Sequence, residues 1–261
     1  MRIAFFGDIV GKGGRRGVVR VLSTMRGAED IEFVIANCEN SAGGVGVDPG
    51  SARELLAAGV DVLTSGTHVW AKREIIDYIT DSDVLLRPAN FAPANPGWGY
   101  TVKLSRRGTP VAVVNLIGRV FMNSYDCPFR GADAALESIG SAAAVIFVDM
   151  HAEATSEKVA MGWYLDGRVS AVVGSHTHVQ TADDRLLPQG TAYLTDAGMC
   201  GPRDSVIGVN RDQVLRRFLT QMPGRFEVAE GPVVVQGAVI DIDEVTGHAS
   251  EIKRFQQVID L

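Results

Sequence analysis

The sequence predicts a layered α/β domain, and two patterns carry that prediction. Short apolar runs alternate with helix-like segments along most of the 261 residues. The runs are continuous in Val, Ile and Phe, which is typical of strands buried on both faces of a sheet. No internal repeat and no linker-like segment interrupts this pattern. We therefore expect residues 1–261 to form one domain, with ligands bound beyond the carboxyl ends of its strands.

Six of the apolar runs are predicted as strands, and each stops at polar residues. In chain order they are IAFF before Gly7-Asp8, FVIANC before Glu39-Asn40, VDVLTSG before Thr67-His68, AVIFVDM before His151, SAVVG before Ser175-His176-Thr177-His178, and TAYL before Thr195-Asp196. In layered α/β folds the carboxyl ends of such strands form the ligand-binding edge. These polar residues are therefore expected to lie at that edge.

Three further segments are predicted as helices, and the chain ends in a predicted hairpin. Asp48 suits an N-cap because Pro49 follows it at the first helical position, and Gly59 suits the end of that helix. SEKVAMGWYL and RDQVLRRFLTQM repeat their apolar residues at a helical period. The last stretch, residues 232–255, alternates apolar and polar residues and turns at residues 244–247.

The composition excludes several classes of protein. A net charge of −6 and a sequence pI of about 5.4 argue against a polyanion-binding surface, so long nucleic acid is not an expected partner. The three cysteines form no CxxC pair and are typical of reduced thiols in the cytosol. The first apolar run is too short for a signal peptide, and no run reaches the roughly 18 residues of a membrane span. We expect a soluble, cytoplasmic protein.

Histidines and carboxylates at the strand ends form the strongest functional signal. Four of the five histidines follow predicted strands, and three acidic or amide residues do the same: Asp8, Glu39, Asn40, His68, His151, His176 and His178. Converging imidazoles and carboxylates are typical ligands of a transition-metal site. One catalytic ion needs only three or four protein ligands. A set of six or seven suits two ions about 3.5–4 Å apart, which favour hydrolysis by in-line attack on phosphorus.

The motifs that carry these residues resemble those of the calcineurin-like metallophosphoesterases, most closely the YmdB-like branch. The matching blocks appear in one order along nearly the whole chain: GDIVGKGGRR, ENSAGGVG, GTH, HAEATSEK, SHTHVQTAD and TDAG…GP. The resemblance implies an α/β/β/α sandwich with metal ligands at the carboxyl ends of its strands. It also implies an enzyme that hydrolyses phosphodiesters, notably 2′,3′-cyclic nucleotides, with two iron or manganese ions, and that forms homo-oligomers.

The resemblance also implies a role for each residue of the set. One metal is held by Asp8, Asn40 and His178, the other by His151 and His176, and Glu39 bridges the two. A hydroxide between the metals is the implied nucleophile. His68 is the implied proton donor to the departing oxygen, a role that imidazole often fills.

The sequence departs from the branch at one position. The residue before the catalytic histidine is Asn in the family pattern, whereas here it is Thr67. A hydroxyl on a short side chain is a weaker ligand than an amide oxygen. We therefore expect the second metal to bind more weakly. The site itself should remain, because Glu39, His151 and His176 still provide three protein ligands for an open site.

Several shorter segments have alternative interpretations. GKGGRRG after Asp8 lacks the P-loop spacing, which favours a tight strand-to-helix turn over a phosphate loop. Residues 85–100 form either a wall of the substrate pocket or an ordered surface loop. Residues 118–130 carry aromatic rings that either stack on a base or cover a subunit interface. Glu153 is a candidate to orient a ligand imidazole, and residues 155–158 suit a helix N-terminus with a polar cap.

The leading functional hypothesis is a cytoplasmic dinuclear metal phosphodiesterase acting on a small substrate. Phosphomonoester hydrolysis or nuclease action are alternatives within the same chemistry. A regulatory metal-binding protein of the same fold, with little turnover, is an alternative of another class, and Thr67 is the sequence feature that favours it.

Overall fold

The computed structural model describes residues 1–260, which form thirteen strands and six helices. The strands are β1 (Arg2–Phe6), β2 (Asp8–Ile9), β3 (Phe33–Asn37), β4 (Val62–Thr64), β5 (Tyr100–Leu104), β6 (Pro110–Ile117), β7 (Val145–His151), β8 (Ala171–Ser175), β9 (Arg185–Leu186), β10 (Ala192–Leu194), β11 (Met199–Pro202), β12 (Val233–Ile242) and β13 (Ala249–Ile259). The helices are α1 (Gly11–Ala28), α2 (Pro49–Ala57), α3 (Ile75–Thr80), α4 (Pro128–Ile139), α5 (Thr155–Leu165) and α6 (Arg211–Thr220).

The strands form two sheets whose inner faces pack on each other. The first sheet has the order β2-β11-β12-β1-β3-β4, with β13 paired to β12, and the second has the order β5-β6-β7-β8-β10-β9. Residues of β1 alternate between the two sides of their sheet: Ile3 and Phe5 join the core between the sheets, whereas Ala4 and Phe6 face the helices. Phe5 contacts Phe147 of the second sheet, with ring centroids 5.1 Å apart.

Helices cover the outer face of each sheet. Val18 and Leu22 of α1 pack on the first sheet in one core, and Met161 and Leu165 of α5 pack on the second sheet in another. The layers therefore run α/β/β/α, and the predicted fold class is confirmed. That residues 1–261 act as a single domain stays a prediction. Among residues 1–260, no helix has both the length and the apolar character needed to cross a bilayer.

The predicted elements are present, with one difference at a helix start. Asp48 caps α2 by accepting a hydrogen bond from the backbone N–H of Ser51 at 2.7 Å, and β12 and β13 form the terminal hairpin. At α5 the N-cap is Ala154, and no side chain caps the helix. The polar cap predicted there is wrong, because alanine has no side-chain acceptor. Glu157 of the first turn accepts from the backbone N–H of Arg119 at 3.1 Å.

Parallel strands from both sheets end at one edge of the sandwich. In the first sheet β1, β3 and β4 run parallel, and in the second β6, β7, β8 and β10 do so. Since β3, β4, β7 and β8 end at Asn37, Thr64, His151 and Ser175, the polar residues after them have a common location.

Candidate metal centre

Three of the predicted site residues form a compact group at this edge. His151 Nε2 lies 3.1 Å from Glu39 Oε1, and His176 Nδ1 lies 3.1 Å from His151 Nε2. One ligand atom from each of the three residues lies within 4.8 Å of the others. Two imidazoles and a carboxylate at this spacing can hold a transition-metal ion.

Three more predicted residues adjoin that group. His178 Nε2 lies 3.2 Å from Asn40 Nδ2 and 3.9 Å from Asp8 Oδ1. Asp8 Oδ1 also lies 3.9 Å from His151 Nδ1, and Asn40 Nδ2 lies 3.5 Å from Glu39 Oε1. The structure thus brings all six predicted ligands into one continuous cluster.

Asp8 carries the clearest sign that the cluster fits a cation. Its Oδ2 atom accepts a hydrogen bond from the backbone N–H of His176 at 2.9 Å. Its Oδ1 atom is buried and has no hydrogen-bond partner among residues 1–260. Burial raises the pKa of Asp8, although the charges of His178 and His151 oppose that rise. Because an unsatisfied buried acceptor costs about 1–3 kcal/mol, an open carboxylate oxygen amid imidazoles fits a metal ligand.

Glu39 and His151 form an ion pair inside the protein. Burial acts to raise the pKa of Glu39, but the charge and hydrogen bond of His151 outweigh it and lower that pKa to about 2. For His151, burial acts to lower the pKa, but the charge of Glu39 prevails and raises it to about 9. Glu39 is therefore an anion at neutral pH, as a metal-ligating carboxylate must be, and a bound metal would displace the Nε2 proton of His151.

His176 remains a neutral imidazole beside this pair. Its pKa falls to about 3, first because of burial and then because of the charge on His151. A neutral imidazole offers its lone pair to a metal. Glu153 Oε2 lies 3.1 Å from His176 Nε2, so the structure places this carboxylate where it orients the ring.

A buried hydrogen-bond network fixes the orientation of His151. Ser175 Oγ donates to Asp149 Oδ1 at 2.6 Å and lies 2.9 Å from His151 Nδ1. The single hydroxyl proton is used on Asp149, so His151 Nδ1 is the donor to Ser175, and His151 directs Nε2 toward Glu39. Asn37 Nδ2 and Thr64 Oγ1 donate to the other Asp149 oxygen. Residues of four strands from both sheets thus support one imidazole.

This network was missed in the sequence. Asp149 is a charged residue within the apolar run AVIFVDM, and a buried charge without a partner is costly. That misfit was the only available signal, because the partners of Asp149 lie as many as 112 residues away.

The loop after β8 has a strained backbone held by a buried ion pair. His176 and His178 have φ angles of +102° and +65°, which non-glycine residues rarely adopt. Lys158 Nζ donates to Asp196 Oδ2 at 2.7 Å, and that same oxygen accepts from the backbone N–H and the hydroxyl of Thr177. The pair was also missed, since Lys158 was predicted only as part of a helix start. It fixes the residue between the two histidines.

The GTH segment lies against the ligand cluster. A Cβ atom on Gly66 would come within 2.2 Å of the imidazole of His151, so this position must be glycine. Thr67 Oγ1 lies 3.4 Å from Glu39 Oε1, and the backbone N–H of His68 donates to Glu39 Oε2 at 2.9 Å. The side chain of His68 is exposed, in contrast to the buried Glu39 and His151.

A cavity of about 410 Å³ opens beside Thr67. Both loops with open roles contribute to it, through residues 90–92, Asn95 and residues 123–126. Trp98 lies outside its lining. These parts of the two loops are therefore walls of a pocket next to the candidate metal centre.

Comparison with known proteins identifies the family. The model of the family described as YmdB-like protein matches residues 4–255. The chain belongs to the YmdB-like family. A Bacillus subtilis (strain 168) member named 2′,3′-cyclic-nucleotide 2′-phosphodiesterase is 48% identical over 254 residues, which cover 97% of this chain and 96% of that protein. A Mycoplasma genitalium relative named putative phosphatase/phosphodiesterase is 32% identical over 100% of this chain and 94% of its own length.

Solved structures agree with that assignment. A hypothetical protein from Thermus thermophilus is 40% identical to this chain, with a TM-score of 0.92, and the match covers 99% of both chains. A protein described as a novel phosphatase from Mycoplasma pneumoniae is 32% identical, with a TM-score of 0.92 over 99% of this chain and 93% of its own. The family resemblance read from the sequence motifs is confirmed.

Proposed function

We propose that this YmdB-like protein is a metal-dependent phosphodiester hydrolase that acts on small phosphodiesters, with 2′,3′-cyclic nucleotides as its first candidate substrates. The observation that carries the proposal is the cluster of Glu39, His151 and His176 beside the unpartnered oxygen of Asp8. The name of the B. subtilis relative supports the substrate class.

The six clustered residues would hold two metal ions. Asp8, Asn40 and His178 would bind one ion, His151 and His176 the other, and Glu39 would lie between them. When bound, such ions lower the pKa of a water and offset the negative charge that develops on the phosphoryl oxygens. The mixed imidazole and carboxylate set supports iron or manganese.

The remaining residues of the site would donate a proton and hold the ligands in position. His68 is exposed at the mouth of the cluster and would donate a proton to the departing oxygen. The hydrogen bond from its backbone N–H to Glu39 fixes the position of the GTH segment. Ser175 and Asp149 would keep His151 Nε2 available as a ligand. Thr67 would provide weaker support for the second ion than an amide would.

Two further proposals concern the state of the protein. All three cysteines are free, which supports a reducing compartment such as the cytoplasm. One face of α6 exposes Leu215, Phe218 and Leu219, with 51%, 76% and 83% of their surfaces accessible. Such a patch supports self-association into a homo-oligomer.

The test is hydrolysis of 2′,3′-cyclic AMP by purified protein supplied with Mn²⁺, beside a chelator-treated sample. We expect metal-dependent opening of the cyclic diester and a loss of at least 100-fold in His68→Ala. Parallel reactions with 4-nitrophenyl phosphate and an RNA oligonucleotide distinguish monoesterase and nuclease action. Metal binding without turnover of the cyclic diester would contradict the proposal.

A further inference from the structure

We propose that the cavity beside Thr67 binds the nucleobase of the substrate, an inference that rests on the proposed function. The volume of about 410 Å³ falls within the usual range for small-ligand pockets. Thr67 lines the cavity and also lies 3.4 Å from Glu39 Oε1. A nucleotide whose phosphate lies at the cluster therefore has the cavity next to its sugar.

The charge of the cavity fits a neutral ring better than a phosphate. Its lining contains one acidic residue, Asp126, and no lysine or arginine. A phosphate group would meet no cation there, whereas a base carries no charge at neutral pH. The phosphate belongs at the metal ligands, and the cavity is left for the uncharged part of the substrate.

Aromatic rings form one side of the cavity. Phe91 and Tyr125 stack with their centroids 5.0 Å apart, and Trp70 lies 6.3 Å from Phe91. Phe91 is buried, whereas Tyr125 and Trp70 are only half-buried and so present accessible ring surface. Stacking on such rings favours any base, because every base has a π-face.

Polar side chains at the rim are free to select among bases. The side chains of Asn95, Ser124 and Asp126 make no hydrogen bond within residues 1–260. A carboxylate accepts hydrogen bonds but donates none, so Asp126 favours bases with an exocyclic amino group, as in carboxylate recognition of cytosine N4. Adenine and cytosine both carry such a group.

Binding of adenosine separates this inference from the proposed activity, because adenosine has no phosphate. Isothermal titration should detect binding to the wild type and an affinity about 5- to 150-fold lower in Tyr125→Ala, the cost of losing one stacked base. Trp98→Ala is the matched control, since it removes an exposed ring of the same loop region outside the cavity lining. Equal affinity in Tyr125→Ala and the wild type, or no binding by the wild type, would overturn the inference.

Turnover provides the second arm. For each variant we would compare kcat/KM for 2′,3′-cyclic AMP with that for 1-O-methylribose 2′,3′-cyclic phosphate, which has no base. The ratio should fall about 5- to 150-fold in Tyr125→Ala. An unchanged ratio with active enzyme would remove the base site and leave the diesterase proposal intact. Tyr125-dependent adenosine binding without any turnover would contradict the diesterase proposal and leave the base site intact.

Asp126→Ala keeps the test open if Tyr125→Ala fails to fold, because the Asp126 side chain is exposed. The variant should bind adenosine less tightly than the wild type, because the exocyclic amino group of adenine would lose its acceptor. Equal adenosine affinity in the variant and the wild type would count against the role of Asp126.

Discussion

Replacing Ser175 with alanine tests how the buried network supports His151. The substitution removes the hydroxyl that donates to Asp149 at 2.6 Å and lies 2.9 Å from His151 Nδ1. One carboxylate oxygen and one ring N–H then lose a partner in a buried site, where each unsatisfied group costs about 1–3 kcal/mol. Burial already raises the pKa of Asp149 to about 6, and loss of the donor raises it further. We expect the free energy of unfolding to fall by about 2–6 kcal/mol.

The substitution should also impair function, separately from that loss of stability. Loss of a group that orients a metal-ligating histidine lowers metal affinity or activity about 10- to 100-fold. Ser170→Ala is the matched control: Ser170 is also buried and accepts a hydrogen bond from the backbone N–H of Ile146, but it precedes the other end of β8. Urea unfolding and Mn²⁺-dependent turnover of 2′,3′-cyclic AMP should be measured on both variants below their melting temperatures. Equal activities would refute the positioning role of Ser175.

Three other substitutions test the packing at Gly66, the second metal site and the cap of α2. Gly66→Ala should reduce turnover more than 100-fold, because its Cβ would lie 2.2 Å from the ring of His151; near-normal turnover would contradict the close packing. Thr67→Asn should lower the Mn²⁺ concentration for half-maximal activity, on the order of tenfold, and unchanged metal occupancy would count against a weak second site. Asp48→Ala should lower the unfolding free energy by about 1 kcal/mol at pH 7, and Asp48→Asn by much less. Burial acts to raise the pKa of Asp48, but the hydrogen bond from the N–H of Ser51 prevails and lowers it. The charge of Asp48 therefore stabilises the fold above the unfolded-state pKa, and this stabilisation declines as pH falls through the folded-state pKa. Urea midpoints from pH 3 to pH 7 measure this, and a penalty that grows toward acid pH would contradict the assignment.

The strands and the ligand set could be predicted from the sequence, because both depend on local patterns. Continuous apolar runs identify strands buried on both faces. The polar residue that ends each run lies at the edge of the sheet, because it stands at the carboxyl end of a strand. His151 and Glu39 could therefore be assigned to one site before their distance was known. The resemblance to the YmdB-like motifs added the expected role of each.

The supporting residues could not be found in this way. Asp149 and Ser175 act through contacts among four strands in two sheets, and nothing local in AVIFVDM or SAVVG specifies those partners. The role of Lys158 could not be predicted for the same reason, since its partner Asp196 lies 38 residues away. The cavity beside Thr67 depends on how two long loops fold back, and their sequences allowed a pocket wall, a plain surface loop or a subunit interface.

We propose that the cluster around Glu39 is a metal-dependent hydrolytic centre. The rate of 2′,3′-cyclic AMP hydrolysis across a Mn²⁺ titration, for the wild type and for Glu39→Gln, tests this proposal. We expect saturable activation of the wild type and a loss of at least 100-fold in the variant that excess Mn²⁺ does not restore. Activity of Glu39→Gln within a few-fold of the wild type at saturating Mn²⁺ would contradict it.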